Sequence, residues 1–530
     1  MKKKYLSMAL VALLIGASSC DKDFEQINTN PNQATSLDPA YLLNSAQFGS
    51  ARTTHHYEGE IIQQVNTPYT GILEGGNHNI LNDVNTRTTF EQVYQGPIRN
   101  LTIILNNTAS NPAQSNIYNM ARILKAYNFM VLVDTYGDVP YFDAGKAFLE
   151  NNYLPKYDPQ AEIYADILKE LEEATKALDA SKPTVTGGDI FYNGNIPRWQ
   201  KLGNSLLLRA GMRYTDVEGN NSATAKAAVA KAMAGPGGLM TSNDDNAMVR
   251  YNAPAYVHAT TQQLLATERA NFFAGEPFVN FMKAHNDPRA PYIFVRYSAP
   301  GDPNGGTINT NLADQFGLPY GYSDVTIRTA PGFRGSLNEY SYFRRNTVLE
   351  QSTPEFLVTY AQTQLLLADA AARGIIAGGL AQAKTHYETG IRAHINQLRL
   401  YNTTVIPQIP EAEIVAYLAQ PGNPTSSDPI QRVGVLFSTD PAKALEQINT
   451  QYWVASFRNW SEAWSNFRRT EFPRLQPINY PGQDPSVGAT GFIRRLPYPN
   501  REVSVNAANV QAAVARMGAN TLGTRIFWDK

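Results

Sequence analysis

Apolar residues recur at three- and four-residue steps through several stretches of the chain. The clearest stretch is 159–179. There Ile163, Ile167, Leu171, Ala174 and Leu178 share one face, and Lys169, Glu170, Glu172, Glu173 and Lys176 occupy the others. That pattern predicts an amphipathic α-helix. Residues 114–133 supply a partner, with Ile117, Ala121, Leu124, Asn128 and Val131 in register. Residues 197–215 and 222–234 form a second pair, and 354–373 and 380–400 a third. Four starts carry Asp or Thr before Pro: Asp38-Pro39, Asp158-Pro159, Thr353-Pro354 and Asp440-Pro441. Each reads as a cap followed by proline at the first helical position.

The third pair says most about architecture. Ala383, Tyr387 and Gly390 follow one another at steps of four and three, after Ala368-Asp369-Ala370-Ala371 and a break at Gly374. Small residues at that spacing let neighbouring helices approach closely. The arrangement resembles a tetratricopeptide unit, a helix hairpin repeating at ~34 residues. The repeats are degenerate and interrupted. The expectation is therefore an all-α fold, a tetratricopeptide-like helical scaffold rather than a regular solenoid. Between the helices lie stretches rich in Gly, Pro, Asn, Tyr and Thr, at 66–90, 235–260, 296–345 and 401–435. Loops of this length are functional or disordered. Their Tyr and Phe content argues for ordered, packed loops, the usual place of contact surfaces on a rigid scaffold.

Composition changes this picture in three ways. The chain has 530 residues, of which 43% are hydrophobic and 17% charged, enough apolar material for a large core. Its 45 basic and 46 acidic residues give a net charge of −1, without the clustered basic excess that phosphate neutralisation needs, so nucleic acid is not an expected partner. The lone cysteine excludes an intrachain disulfide, a multi-cysteine zinc site and an iron–sulfur cluster. Its position is informative. Lys2, Lys3 and Lys4 precede an apolar run from Leu6 to Ile15, then Gly16-Ala17-Ser18-Ser19-Cys20. Residues 1–19 read as a secretory signal. The run falls short of the ~18–20 apolar residues of a membrane-spanning helix. Ala17-Ser18-Ser19-Cys20 resembles a bacterial lipobox, with Ala17 where Leu is usual, so Cys20 is the expected lipidation site. Several acyl chains make a stable anchor at about 0.8 kcal/mol per buried CH₂. Losing three lysines with the signal leaves 42 basic against 46 acidic residues, a net −4. Residues 20–37 then form a tether and 38–530 a single helical domain with loop insertions.

The chain carries no His-Glu-x-x-His, Gly-x-Ser-x-Gly, Walker or Gly-x-Gly-x-x-Gly spacing. His55 and His56 are adjacent and point to different helix faces. His386 and His394 are two turns apart. Neither pair suits a metal, and no cofactor is expected beyond a possible structural Ca²⁺. Ser242-Asn243-Asp244-Asp245-Asn246 offers oxygens for that ion but lacks the Gly and distal Glu of an EF-hand loop, so it reads as a cap or turn. Catalytic carboxylates can be distant in sequence, which keeps an all-helical surface glycoside hydrolase as the enzyme alternative.

Six ordered segments resemble the SusD/RagB family, in particular its second SusD-like subgroup. They are Asp23-Phe24-Glu25-Gln26-Ile27-Asn28-Thr29-Asn30-Pro31-Asn32; Asp134-Thr135-Tyr136-Gly137-Asp138-Val139-Pro140-Tyr141 with Pro155-Lys156-Tyr157-Asp158; Trp199-Gln200-Lys201-Leu202-Gly203-Asn204-Ser205-Leu206 running to Arg209 and Arg213; Asp287-Pro288-Arg289; Leu365-Leu366-Leu367-Ala368-Asp369-Ala370; and Glu462-Ala463-Trp464-Ser465-Asn466-Phe467-Arg468-Arg469-Thr470 with Phe472-Pro473, Arg494-Arg495-Leu496-Pro497-Tyr498-Pro499 and Glu502. The terminal Phe527-Trp528-Asp529 also fits. The acidic Asp21-Lys22-Asp23-Phe24-Glu25 resembles the surface-export signal of Bacteroidetes lipoproteins. The resemblance implies a non-catalytic lipoprotein on the cell surface of the outer membrane. It would capture oligosaccharides, or in some members peptides, for a SusC-like TonB-dependent transporter.

Physically, the quoted segments read as scaffold. Gly137 and Pro140 close a helix. Arg209, Arg213, Arg468 and Arg469 are expected in buried pairs with carboxylates. Trp453, Trp460 and Trp464 are expected in the core. A sugar needs flat apolar faces beside hydrogen-bonding groups. The resemblance places such a site on early and central loops. The candidates are Tyr69, Asn77, His78, Tyr320, Tyr322, Phe333 and Arg334.

Overall fold

The computed structural model describes residues 37–51, 56–217, 219, 222–488 and 491–529. The signal segment, Cys20, the tether through residue 36 and His55 lie outside them. Numbering helices of six or more residues, the described chain opens on α1 (Pro39–Gly49), where Asp38 accepts the Ala40 N–H and Pro39 begins the helix. Then come α2 (His56–Ile61), α3 (Asp83–Val93) and α4 (Arg99–Thr108). One π-helical turn, Tyr94–Ile98, joins α3 to α4 and accommodates Pro97. Two helix pairs follow: α5 (Ser115–Tyr136) with α6 (Gln160–Ala177), and α7 (Ile196–Val217) with α8 (Ala223–Ala234). After α9 (Glu276–Ala284) comes the third pair, α10 (Tyr360–Ala372) with α11 (Gly379–Gln397). The chain ends through α12 (Glu411–Leu418), α13 (Pro441–Ala455), α14 (Trp460–Thr470), α15 (Asn500–Val505) and α16 (Ala507–Met517).

The pairs stack in order: α6 packs on α7, α7 on α10, and α10 on α13. This is the expected all-α, tetratricopeptide-like scaffold. Close approach needs the small residues. A Cβ on Gly390 would fall 2.7 Å from Leu365 Cγ, and one on Gly211 would fall 2.5 Å from Ala228 Cβ. Strands are short. β1 (Val65–Asn66) pairs with β3 (Phe273–Ala274), and β2 (Ala247–Val249) with β7 (Glu355–Val358). β4 (Phe294–Tyr297) lies between β5 (Ile308–Asn309) and β6 (Tyr342–Phe343).

Several local expectations need correction. Thr353-Pro354 does not start a helix. The apolar run Phe356-Leu357-Val358 is buried throughout and forms β7. Helix α10 starts one strand later, where Thr359 and Gln362 cap each other. Asp158 does not cap α6 either. Its Oδ2 accepts the N–H groups of Tyr141 and Phe142 at 2.9 and 3.0 Å. The 66–90 stretch runs into α3, a polar helix capped by Asn82 that shows little apolar periodicity. The 401–435 stretch contains α12, the 235–260 stretch contains β2, and the 296–345 stretch is built on the three-stranded sheet.

The arginines of the family-like segments are buried in the core. The Arg213 side chain is fully buried, donating to Asp134 Oδ2 at 3.2 Å and to Glu462 Oε2 at 2.7 Å. Tyr164 and Trp528 donate to the other Asp134 oxygen, and Tyr452 to the other Glu462 oxygen. Arg209 lies 3.6 Å from Glu462. Arg469 bonds Asp369 at 2.6 Å. Burial alone would raise the Asp369 carboxyl, but Arg373 and Arg469 hold it down at about 2. Arg289 bonds Asp287 at 2.6 Å, Tyr417 at 2.8 Å and His394 Nδ1 at 2.8 Å. His386 instead meets Gln364, so the two histidines of α11 are separately engaged. Arg468 departs from the expectation. It has no carboxylate hydrogen bond and lies over Trp464 at 3.7 Å and Trp528 at 4.9 Å. Trp453, Trp460 and Trp464 are core residues whose indole N–H groups reach Ile62 O, Gln64 Oε1 and Ile493 O.

Replacing Arg213 by Met takes away the guanidinium that bonds both Asp134 and Glu462, leaving Arg209 3.6 Å from Glu462 and Arg468 acting on Asp134 only through space. The expected cost is about 3–5 kcal/mol of stability in urea unfolding. A loss below about 1 kcal/mol would mean that the two carboxylates do not need Arg213.

Candidate functional site

The loop after β1 folds back on α2 because Gly76 permits it. A Cβ there would fall 2.4 Å from Tyr57 O. Asn77 then clamps the turn. Its amide donates to Thr67 O, its oxygen accepts the Gly75 N–H at 2.9 Å, and its own N–H donates to Glu60 Oε2 at 3.2 Å. Asn79 takes a left-handed conformation, φ 55°, and donates to Ile478 O and Gly491 O. This loop is joined to the central insertion as well. Asn66 donates to Leu318 O and Pro319 O, Tyr320 to Val65 O, and the Asp324 N–H to Pro68 O at 2.7 Å.

The structure therefore brings together two of the loops singled out in the sequence and adds a third. His78 is the junction. Nδ1 meets Glu74 Oε1 at 3.1 Å, Nε2 meets Tyr322 O at 3.0 Å, and the ring stacks on Tyr480 at 3.9 Å between centroids. Asn77 and His78 are buried, with their polar atoms used inside the protein. They hold the surface and do not present groups to a ligand. Tyr320 is half-buried, its hydroxyl committed to Val65 O.

Tyr69, Tyr322 and Tyr480 remain half-exposed around this junction, with Glu74 and Asp324 beside them. Burial, then Asp324, pushes the Tyr69 hydroxyl above its ordinary value. Burial, then Glu74, does the same for Tyr480. Both phenols stay protonated and can donate. Ile72 and Val325 stand 80% and 76% exposed on the adjoining loops, so the surface is apolar as well as polar. Phe333 and Tyr322 pack against a second, smaller core that includes Leu318, Ile327, Tyr340 and Tyr342. The exposed Arg334 guanidinium lies 3.6 Å over the Phe316 ring. Sequence reading missed Tyr480, Glu74 and Asp324. The Pro477-Ile478-Asn479-Tyr480-Pro481-Gly482 run has the same loop chemistry as the recognised insertions and carried the signal.

Among the described residues no group of three or more His, Cys, Asp or Glu could hold a metal ion. Ser242 and Asp245 form a capping box, and Asp245 also binds Lys201 at 2.9 Å and the Thr241 N–H at 2.8 Å. No described helix is long and apolar enough to cross a membrane.

Residues 31–499 match the family model SusD-like_2, described as starch-binding and associating with the outer membrane. A solved structure titled as a chitin-binding protein is 29% identical, with TM-score 0.76 over 93% of this chain and 100% of that one. A SusD-like protein of Bacteroidetes AC2a is 25% identical, with TM-score 0.77 over 93% and 100%. A chitin-binding SusD homolog from Flavobacterium johnsoniae shares the fold at 24% identity, with TM-score 0.75 over 93% and 97%. Among curated proteins no sequence matches. None of these similarities points to an enzyme family.

Glu60, beneath the Asn77 turn, generates a pH prediction. Burial raises its carboxyl well above 4.5, against the opposing bonds from Asn77 and Gly76 N–H. Its Oε1 has no hydrogen-bond partner. The folded state therefore keeps a proton that the unfolded chain loses above about pH 4.5, so this group's contribution to stability falls as pH rises, by up to about 1.4 kcal/mol per unit. Glu60→Gln should flatten the fall when denaturation midpoints are compared from pH 4.5 upward. Parallel curves for the two proteins would refute the assignment.

Proposed function

The chain belongs to the SusD-like_2 family, and from that premise we propose that it is a non-catalytic outer-membrane lipoprotein, acylated at Cys20, that captures oligosaccharides. Its partner is a SusC-like TonB-dependent transporter, to which it delivers the bound sugar. The observation that carries the reading is the convergence of three loops on His78, which sets Tyr69, Tyr322 and Tyr480 around one surface with Glu74 and Asp324. Tyrosine rings offer flat faces to pyranose C–H groups, and carboxylates and phenols bind hydroxyls in the ring plane. Phe333 and Arg334 belong to the same central insertion as Tyr322 and Asp324.

The family description and the names of the similar structures make chito- and malto-oligosaccharides the first probes. Tyr69→Ala and Tyr480→Ala should each weaken binding of the recognised sugar roughly threefold to tenfold in calorimetry. Unchanged affinity in both variants would remove the loop surface as the site. The same panel followed for reducing ends should show no release. Release would favour the hydrolase alternative. A parallel peptide panel separates glycan capture from peptide capture.

A further inference from the structure

A cleft of about 610 Å³ lies at the other end of α3 from the loop junction. Asn82, next to Glu74, caps the start of α3, while Phe90 and Tyr94 at its end line the cleft. Eleven residues at about 1.5 Å each separate the two places by roughly 16 Å. No residue of the loop surface lines the cleft.

Its walls display side chains that a core would normally take in. Tyr153 is 65% exposed, Leu154 52% and Val505 60%. They are held out by the backbone. Asn506 donates to Pro155 O at 2.9 Å and Asn509 to Leu154 O at 3.1 Å, which pins the 153–155 segment to the start of α16. The π turn between α3 and α4 places Tyr94 and Gln95 on the opposite wall, where Tyr94 is anchored through Pro140 O at 2.6 Å. The charged groups balance: Arg99 and Arg501 face Glu91 and Glu502 around the same space. Glu502 accepts from Tyr157 at 2.9 Å, and Arg99 Nε donates to Asn100 Oδ1 at 3.5 Å.

The geometry points to a second ligand site in this cleft, for a neutral, polyhydroxylated ligand with apolar faces, namely a short oligosaccharide. The volume falls in the ~300–1,000 Å³ range of small-molecule sites. Balanced charge disfavours an anion or a cation. Tyrosine, leucine and proline surfaces beside the arginine and glutamine groups of the lining suit a sugar ring edge and face together. The choice of ligand class rests on the oligosaccharide reading above; the existence of the cleft does not.

The test is calorimetry of the full chain with chitotetraose and maltotetraose, using Tyr153→Ala and Arg501→Gln for the cleft and Tyr480→Ala for the loops. Tyr153 and Arg501 are exposed, and unchanged melting temperatures will verify folding. Two sites are expected in the native chain. Tyr153→Ala should weaken one of them roughly tenfold and leave the other intact, and Tyr480→Ala the reverse. A single site lost in Tyr480→Ala and untouched in both cleft variants overturns the second site and leaves the function standing. A single site lost only in the cleft variants supports the cleft and overturns the loop surface. No binding of either sugar by the native chain overturns both.

Discussion

Four charges buried together govern this molecule. Arg213 and Arg209 face Asp134 and Glu462 where α5, α7 and α14 meet. Taking such ions out of water costs several kcal/mol each, and only near-complete pairing offsets it. Pairing here is assembled from distant parts of the chain. Asp134 needs Tyr164 from α6 and Trp528 from the last residues, and Glu462 needs Tyr452 from α13. No single helix pair can bury its own share of these charges. The scaffold is therefore held as one unit, which a stack of independent repeats would not require. The Asp287–Arg289–His394 and Asp369–Arg469 groups repeat the same logic further along.

A scaffold fixed from within leaves its loops free to differ, yet these loops are fixed too. They use amide side chains on backbone oxygens: Asn77 donates to Thr67 O within its own loop, and Asn66 and Asn79 donate to carbonyls of other segments. Such bonds need only a correctly placed carbonyl, whatever the neighbouring side chain. Those amide bonds do not involve the side chains of Tyr69, Tyr322 and Tyr480, although the Tyr480 ring adds its stack on His78.

The helix pairs were legible because one apolar stripe per helix leaves a 3.6-residue signature, as along Ile163, Ile167 and Leu171. Helix α3 was not, since its sequence is mostly polar. Strand β7 is indistinguishable from a helix start in sequence, because a fully buried strand and a buried helix turn share an unbroken apolar run. At the loops, sequence chemistry singled out segments that the structure brings together at His78, but it did not reveal which side chains face inward. Asn77 and His78 have the chemistry of sugar-binding groups, but their hydrogen bonds are spent on Thr67, Glu74 and Tyr322. Whether an amide faces inward depends on tertiary contacts far along the chain. Tyr480, some 400 residues from its stacking partner, depends on the same contacts.

Among the described residues, the ordered family-like segments are thus those that assemble buried charge, and none of them forms the loop surface. A change in Arg213 or Glu462 breaks the scaffold for any ligand. Tyr69 and Tyr480 stand half-exposed on the loops, outside those buried pairs. The family-like segments and the loop surface are consequently built from different residues. The match along 31–499 shows the family, and the contacts of His78 bring the three loops together. Glu502 and Tyr157 stand on the boundary between the two sets. Both belong to the family-like segments, both serve the fold, and Glu502 also lines the cleft beyond α3. A ligand seated there would touch the scaffold itself, so that cleft should vary less than the loop surface among proteins built on the same buried charges.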